Sequence, residues 1–408
     1  MSGSVDLDWP SGDITRVPYR LYTDEGLFER EMERIFYASW AYVGLEAELP
    51  NAWDFITTRI GKRSVVITRD EQGRVHGFAN RCAHRGVKVC RRASGNSRIF
   101  VCPYHQWSYD SKGNLRGVPF IKGIGGKGGM PGDFKRSDNA LPPLKITIRQ
   151  GVIFASFADE IEEFASYLGE TNLKYFDRVF DGRELKILGY SRQLIPGNWK
   201  LMFENIKDPY HASLLHVFLV TFGLFRADQK SRVAMDETGR HGLLISRKGA
   251  QKASSLTADI KNMKEDFELA DPRLLDPVKE FSDDATVVMQ TIWPNLIVQQ
   301  QSNTLALRQI RPREVGSFEL YWTFFGYASD SQEMQTRRLR QANLMSAAGL
   351  VSAEDSEVIK LAQEAIAQYV EDSGQMLLGG TGTVDTPHMV TEVAIRAFYK
   401  YYREVMAL

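Results

Sequence analysis

Cysteine and histidine are scarce in this 408-residue chain, with 3 and 7 copies, and most of them fall into two short constellations. The first is NRCAHRGVKVCRRASGNSRIFVCPYHQW, Asn80 to Trp107, which holds Cys82-x-His84, then 17 residues, then Cys102-x-x-His105. Each half offers one thiolate and one imidazole beside a turn-former, Gly86 or Pro103. Four mixed S/N ligands on two loops suit a tetrahedral zinc. They suit equally a [2Fe–2S] cluster in which two cysteines hold one iron and two histidines the other. The loops lack the usual C-x2-C and H-x3-H spacing of zinc modules. Cys90, between the loops, reads as a buried spectator.

The second constellation is FENIKDPYHASLLH, Phe203 to His216. Asp208-Pro209 has the form of a helix start, an Asp N-cap followed by Pro at the first helical position. On one continuous helix His211 and His216 would lie about 140° apart, at roughly 100° per residue, which does not stack them on one face. The spacing fits a capped apolar helix with one core histidine, or two metal ligands, either on a locally distorted helix or reaching a metal that lies off its axis. A cluster that passes electrons needs an acceptor. Two histidines and one carboxylate are the ligand set of a mononuclear non-heme Fe(II) that activates O2. The best carboxylate candidate is Asp355, in GLVSAEDSEVIKLAQ, with Glu354 adjacent. Ser352-x-x-Asp355 also has the form of a capping box at a helix that begins after Ser352. His76, His241 and His388 fit no ligand pattern.

Elements of two kinds must hold these residues. Ser64–Thr68, Val75–Ala79, Ile99–Val101 and Val152–Ala155 are short β-type runs punctuated by Gly, Asn and Asp, which describes a small antiparallel β domain over residues 40–158. GIGGKGGMPGD, Gly123 to Asp133, has no G-K-[ST] and no apolar helix behind it, so it reads as a flexible surface loop. Thr286–Trp293, Leu296–Gln301, Thr304–Ile310 and Phe318–Tyr327 read as successive strands, with Ser302-Asn303 as a tight turn. Helical patterns follow at Gln332–Leu344 and Asp355–Val370. Composition excludes other classes. Lys plus Arg equal Asp plus Glu at 51 each, which favours neither nucleic acid nor an acidic membrane surface. The N-terminal MSGSVDLDWPSGD has no basic and apolar signal pattern, and the longest apolar run, Leu214–Phe225, is too short to cross a bilayer. Three cysteines suit a reducing cytoplasm.

Taken together, Cys82-x-His84-Arg85-Gly86, Cys102-Pro103-x-His105-x-Trp107, Asn198-Trp199-Lys200, Glu204-Asn205-x-x-Asp208-x-Tyr210-His211-x4-His216 and the acidic pair Glu354-Asp355 resemble the large (α) subunit of aromatic-ring-hydroxylating Rieske non-heme iron oxygenases. The resemblance runs along nearly the whole chain. It implies an α+β protein: the small antiparallel β Rieske domain at 40–158, and a catalytic domain at 159–408 with a large antiparallel sheet wrapped by helices. Residues 1–39, with a helix at about Asp24–Tyr37, would pack on the latter. It implies that Cys82, His84, Cys102 and His105 hold a [2Fe–2S] cluster and that His211, His216 and Asp355 hold the iron. Asp208 would bridge His105 of one subunit to His211 of the next, so the working unit is at least a trimer. Electrons from NAD(P)H would arrive through a flavin reductase and a ferredoxin, and a small β subunit would complete an α3β3 assembly.

Segments such as WAYVGLEAELP, YFDRVFDGRELKILGY and TPHMVTE are most similar to the salicylate 5-hydroxylase-like branch. That branch also includes anthranilate, halobenzoate and terephthalate dioxygenases. Met389 stands where a binder of dicarboxylates would offer a second cation, which implies one carboxylate on the substrate. An apolar pocket needs a partner for it, and Arg supplies a bidentate one. Arg308, in LALRQI, is either that partner or a surface residue on the strand's polar face; Asn205 is a second candidate substrate contact.

Overall fold

The β-rich stretch between Ala41 and Ser156 folds, in the computed structural model, as three small antiparallel sheets. The structure describes residues 7, 9–10, 12–248 and 267–408; residues 1–6, 8 and 11 of the stretch read for a signal lie outside it. The chain divides into two units, Phe36–Ile161 and Met1–Ile35 with Glu162–Leu408. In the first, strands Val75–Ala79, Arg63–Arg69, Asp54–Ile60 and Ser94–Asn96 form one sheet in that order. Ile99–Val101, Ser108–Asp110 and Leu115–Gly117 form a second, and Lys145–Arg149, Val152–Ser156 and Ala41–Leu45 a third. The Gly-rich segment is exposed and closes as a tight hairpin in which Ile124 pairs with Lys127. A Cβ at Gly123 would collide with the Lys127 carbonyl, and Gly123 has φ +76°, so glycine is required there.

The second unit is built on seven antiparallel strands: β1 (Leu185–Ile195), β2 (Ser231–Met235), β3 (Gly242–Ser246), β4 (Val287–Ile292), β5 (Leu296–Gln301), β6 (Thr304–Glu314) and β7 (Ser317–Tyr327), in the spatial order β1-β7-β6-β5-β4-β3-β2. The β5–β6 hairpin turns on Ser302-Asn303 as expected, with Ser302 at φ +54°. Its register puts Gln301 opposite Thr304, Gln299 opposite Ala306 and Ile297 opposite Arg308. Since side chains alternate across a strand, Leu244, Val287, Met289, Gln299, Gln301 and Arg308 share one face of the sheet.

Helices cover both faces: α1 (Glu25–Glu31), α2 (Phe164–Val179), α3 (Trp199–Lys207), α4 (Pro209–Ala212), α5 (Val217–Thr221), α6 (Gln332–Met345), α7 (Leu350–Ile366) and α8 (Val393–Met406). On the face opposite the Arg308 side, α2 is tied down by the Asn172 carbonyl, which accepts from Gln290 Nε2 at 2.7 Å. The N-terminal helix is capped by Asp24, whose side chain accepts from Leu27 N, and it widens to a π-helical turn over Met32–Phe36. No helix among the described residues is long and apolar enough to cross a membrane.

Two expectations are corrected here. The helix carrying the acidic pair begins at Leu350, not after Ser352, because Gly349 packs its backbone against the Leu344 carbonyl and releases the chain into α7. Ser352 is therefore inside the helix and donates to Gln193 Oε1 at 2.9 Å, so no capping box forms with Asp355. Nor do His211 and His216 lie on one helix: α4 stops at Ala212, and His216 immediately precedes the separate α5 without capping it through its side chain.

The motif Asn198-Trp199-Lys200 is a clamp. Asn198 caps α3 through its side chain, which accepts from Lys200 N, and its amide donates to the Val315 carbonyl at 2.7 Å. Trp199 Nε1 and Lys200 Nζ both donate to the fully buried Glu31 of α1, at 2.7 and 2.6 Å. Removing one partner of such a pair strands the other charge and costs about 3–5 kcal/mol. Helix α7 is held to the same point: Gln363 Oε1 accepts from Asn198 N at 2.7 Å, and a Cβ on Gly197 would lie 2.5 Å from Ile359 Cγ2. The two segments that carry the catalytic candidates thus share one anchor.

One turn along α3, the half-buried Glu204 accepts from Tyr22 Oη at 2.8 Å and from Tyr399 Oη. Burial pushes its carboxyl up to about 7 despite those two donors and Lys200. A folded-state pKa above the ordinary 4.5 means stability is full below that value and declines as pH rises towards 7. The melting temperature of Glu204→Gln should therefore gain on wild type between about pH 4.5 and 7 and stay level above. A pH-independent difference would contradict a carboxyl that titrates in the core.

Candidate metal centres

The two cysteine loops of the first unit have the same backbone. Cys82 N donates to the Val87 carbonyl and Gly86 N to the Cys82 carbonyl; Cys102 N donates to the Trp107 carbonyl and Gln106 N to the Cys102 carbonyl. Each loop needs a left-handed residue at the same place, Gly86 (φ +71°) and Gln106 (φ +58°). Both thiols are buried and face each other, and both histidine rings are half-exposed with centroids 4.5 Å apart. Burial, then His105 and Arg85, push the His84 imidazole below its ordinary pKa, keeping it neutral as a metal ligand must be. Burial raises the Cys102 thiol, so metal must supply the charge that draws off its proton.

Two neighbours were invisible to spacing arguments. Tyr109 Oη lies 3.3 Å from Cys82 Sγ and accepts from Ala83 N, and Trp107 stacks on the His84 ring at 4.9 Å. Only the W-x-Y run after His105 hinted at them. Cys90 is buried in the same core as the two cysteine loops and accepts a hydrogen bond from Thr57 Oγ1.

In the second unit, the ligand atoms of His211, His216 and Asp355 lie within 4.8 Å of one another. Asp355 Oδ1 is 3.2 Å from His216 Nε2 and 3.5 Å from His211 Nε2, and it accepts from Asn205 Nδ2 at 3.0 Å. The break between α4 and α5 explains the five-residue spacing: the chain turns after Ala212 and brings the second imidazole back towards the first. The acidic pair divides the work. Asp355 faces both Nε2 atoms, while Glu354 Oε2 lies 2.7 Å from His216 Nδ1, which fixes that ring with Nε2 free.

Asp208 uses its two oxygens differently. Oδ1 caps α4, accepting from Tyr210 N and His211 N, and Oδ2 lies 3.7 Å from His211 Nδ1. Burial opposes a charge on His211, yet Asp208 and Asp355 overcome it and push its pKa up to about 10. Burial likewise opposes the Asp355 carboxylate, and the two imidazoles hold it well below the usual carboxylate range. Asp208 and Asp355 thus flank His211 at its two ring nitrogens. That donor set and that charge fit a divalent cation with N and O ligands.

The same three residues line a cavity whose far wall is the Arg308 face of the sheet. Arg308 is 3% exposed, not a surface residue. Its Nε and Nη2 are buried without a hydrogen-bond partner among the described residues. The guanidinium sits 4.8 Å from the Trp322 ring. Burial holds its pKa down to about 10 although Asp355 raises it. Asn205 lines the cavity on the Asp355 side. The unmatched histidines have structural places: His76 binds the buried Asp70, His241 is bonded to Trp293 N and the Tyr167 carbonyl, and His388 is exposed.

A β-module with paired Cys/His loops and a helix-covered antiparallel sheet with a two-histidine, one-carboxylate cluster define a two-centre iron oxygenase. The sequence comparisons agree. Residues 39–126 match the Rieske [2Fe-2S] domain, and residues 171–408 match the ring hydroxylating alpha subunit (catalytic domain). The chain belongs to the ring-hydroxylating oxygenase alpha subunits, oxidoreductases that carry a Rieske [2Fe–2S] cluster and a non-heme iron. It is 51% identical to the salicylate 5-hydroxylase large oxygenase component of Ralstonia sp, over 98% of this chain and 96% of that one. It is 41% identical to the anthranilate 1,2-dioxygenase large subunit of Burkholderia cepacia, over 98% and 96%. Among solved structures, naphthalene 1,2-dioxygenase from Rhodococcus sp. superposes with a TM-score of 0.80 at 24% identity, covering 96% of this chain and 94% of that one.

His216→Ala should lower the iron content of the second unit and abolish hydroxylation while leaving the visible spectrum of the cluster intact. Cys82→Ser should do the reverse. Loss of the cluster spectrum in folded His216→Ala protein would contradict the separation of the two sites.

Proposed function

We propose that this chain is the terminal oxygenase of a system that hydroxylates a monocyclic aromatic carrying one carboxylate, with salicylate the leading substrate. One observation carries the reading: a buried guanidinium, two of whose nitrogens have no partner among the described residues, on the cavity wall across from the two-histidine, one-carboxylate cluster. A buried cation without a partner is costly. A substrate carboxylate would complete it with charge-assisted hydrogen bonds. The 51% identity to a salicylate 5-hydroxylase component supports the same substrate. Among the described lining residues Arg308 is the one Lys or Arg, and Met389 lies in the apolar cluster with Met345 and Phe225. That favours one carboxylate over two, and so favours salicylate over terephthalate.

In this reading Cys82, His84, Cys102 and His105 hold the cluster, and His211, His216 and Asp355 hold the iron. When bound, these groups supply stepwise reduction of O2 beside the substrate ring. The chain's residues do the rest. Arg308 fixes the substrate by its carboxylate. Leu244, Val287 and Met289 exclude water from the ring. Glu354 holds His216, and Asn205 holds Asp355, in ligating orientation. Asp208, with Oδ1 committed to the cap, keeps Oδ2 for His211 Nδ1 and for His105 of a neighbouring subunit. That makes a hydrogen-bonded path for electrons and requires at least a trimer. A ferredoxin and a flavin reductase drawing on NAD(P)H would feed the cluster in the cytoplasm, and a small β subunit would complete α3β3.

Incubating the reconstituted system with salicylate and identifying the product tests the substrate; no hydroxylated product with salicylate, beside turnover of another benzoate, would redirect it. Arg308→Leu should weaken salicylate binding by about 1.5–3 kcal/mol, the worth of a hydrogen bond to a charged group. Unchanged affinity would place the carboxylate elsewhere. Asp208→Asn keeps the cap, since Asn caps as well as Asp, but loses the charge. Reoxidation of the pre-reduced cluster should slow sharply in that variant with both metals still bound; near-normal reoxidation would leave Asp208 as a cap alone.

A further inference from the structure

Beyond Arg308, the cavity wall contains a second unmet polar group, and it is of the opposite kind. Gln299 on β5 is 2% exposed and lines the cavity. Its Nε2 donates to Gln301 Oε1 at 3.0 Å, on the same strand and the same face. That bond leaves the amide with its nitrogen occupied and its oxygen free. Oε1 is buried and has no partner among the described residues. Gln299 pairs with Ala306 and Arg308 follows two residues along β6, so the amide and the guanidinium are diagonal neighbours on one face. The wall therefore presents a fixed donor for an anion and, beside it, a fixed acceptor.

We propose that Gln299 reads the substituent next to the substrate's carboxylate and accepts a hydrogen bond from a hydroxyl or amine there. The proposal rests on Arg308 holding the carboxylate. With the carboxylate on the guanidinium, only an ortho group stays close enough to the same patch of wall to reach the neighbouring amide. Of the other cavity-lining residues on this face, Leu244, Val287 and Met289 carry no acceptor, and Gln301 Oε1 already accepts from Gln299 Nε2. Asn205 Oδ1 also has no partner among the described residues, but that amide donates to Asp355 on the metal side of the cavity and is not on the sheet. In free salicylate the phenol donates to its own carboxylate. With Arg308 donating to the carboxylate from its outer side, the oxygen beside the ring becomes a weaker acceptor, and the O–H can turn from it to Gln299. An ortho amine has a second N–H for the purpose. An ortho ether has no donor, and it sets one acceptor against another.

Binding to the reconstituted holoenzyme, measured by calorimetry for benzoate, salicylate, anthranilate and 2-methoxybenzoate, tests this. Wild type should prefer salicylate and anthranilate over benzoate by about tenfold or more, the weight of one hydrogen bond, and 2-methoxybenzoate should bind worse than benzoate. In Gln299→Leu the salicylate-to-benzoate ratio should fall towards one, and 2-methoxybenzoate should gain on benzoate. Gln299→Met, close in shape to Gln, should give the same ratios, which separates a lost acceptor from a misfolded wall. Ratios unchanged in both variants while Arg308→Leu still weakens every carboxylate would overturn the role of Gln299 alone. If Arg308→Leu weakens none of them, the anchoring by Arg308 fails, and the ortho inference falls with it.

Discussion

Asp355 carries a charge almost without solvent, and the surrounding elements are arranged around that fact. Its carboxylate meets two imidazoles and one amide within 3.5 Å, and Arg308 lines the same cavity. Each of those groups is buried or nearly so, where an uncompensated charge is expensive. Neutral imidazoles cannot balance the carboxylates of Asp355 and Asp208 alone. In the proposed reading, a cation on one side and a substrate anion on Arg308 on the other would restore the balance, and the apolar lining would make both interactions stronger than they would be in water.

Holding this arrangement takes rigidity from a distance. The ligand candidates lie on a short helix, the residue preceding α5 and a long helix, none of which could fix them alone. Trp199 and Lys200 tie the start of α3 to Glu31 of α1, and Gln363 ties α7 to the neighbouring Asn198. The break between α4 and α5 then needs only local geometry: a Pro start, a cap by Asp208, and a turn closed by the Leu214 and Leu215 amides on the His211 carbonyl. Strand register supplies the remaining wall. A shift of one residue in the β5–β6 hairpin would turn Gln299 or Arg308 to the opposite face.

Much of this was legible because rare residues carry it. Cys82, His84, Cys102 and His105 stand out by type and spacing, and the two loops they predict are present with matching backbones. The β5–β6 hairpin announced itself through Ser302-Asn303 between two apolar runs. What stayed hidden depends on contacts between distant segments. The apolar run Leu214–Leu219 contains no Gly or Pro to announce that one helix becomes two. Adjacency alone cannot separate Glu354 from Asp355; the imidazole atoms each acid faces do separate them. The start of α7 was misplaced because Ser352 looks like a cap, whereas Gly349 is the residue that lets the chain turn. Arg308 and Gln299 could be assigned to the cavity only once register and burial were known.

The central claim is that the cavity takes an aromatic by its carboxylate on Arg308 and presents the ring to the metal cluster. Crystals of the iron-loaded protein soaked with salicylate test it most directly. The account predicts the carboxylate in hydrogen-bond contact with the Arg308 Nε and Nη2 atoms, and the ring between that arginine and the His211, His216 and Asp355 site. A carboxylate bound at the metal itself or turned to the cavity mouth, with Arg308 untouched, would contradict it.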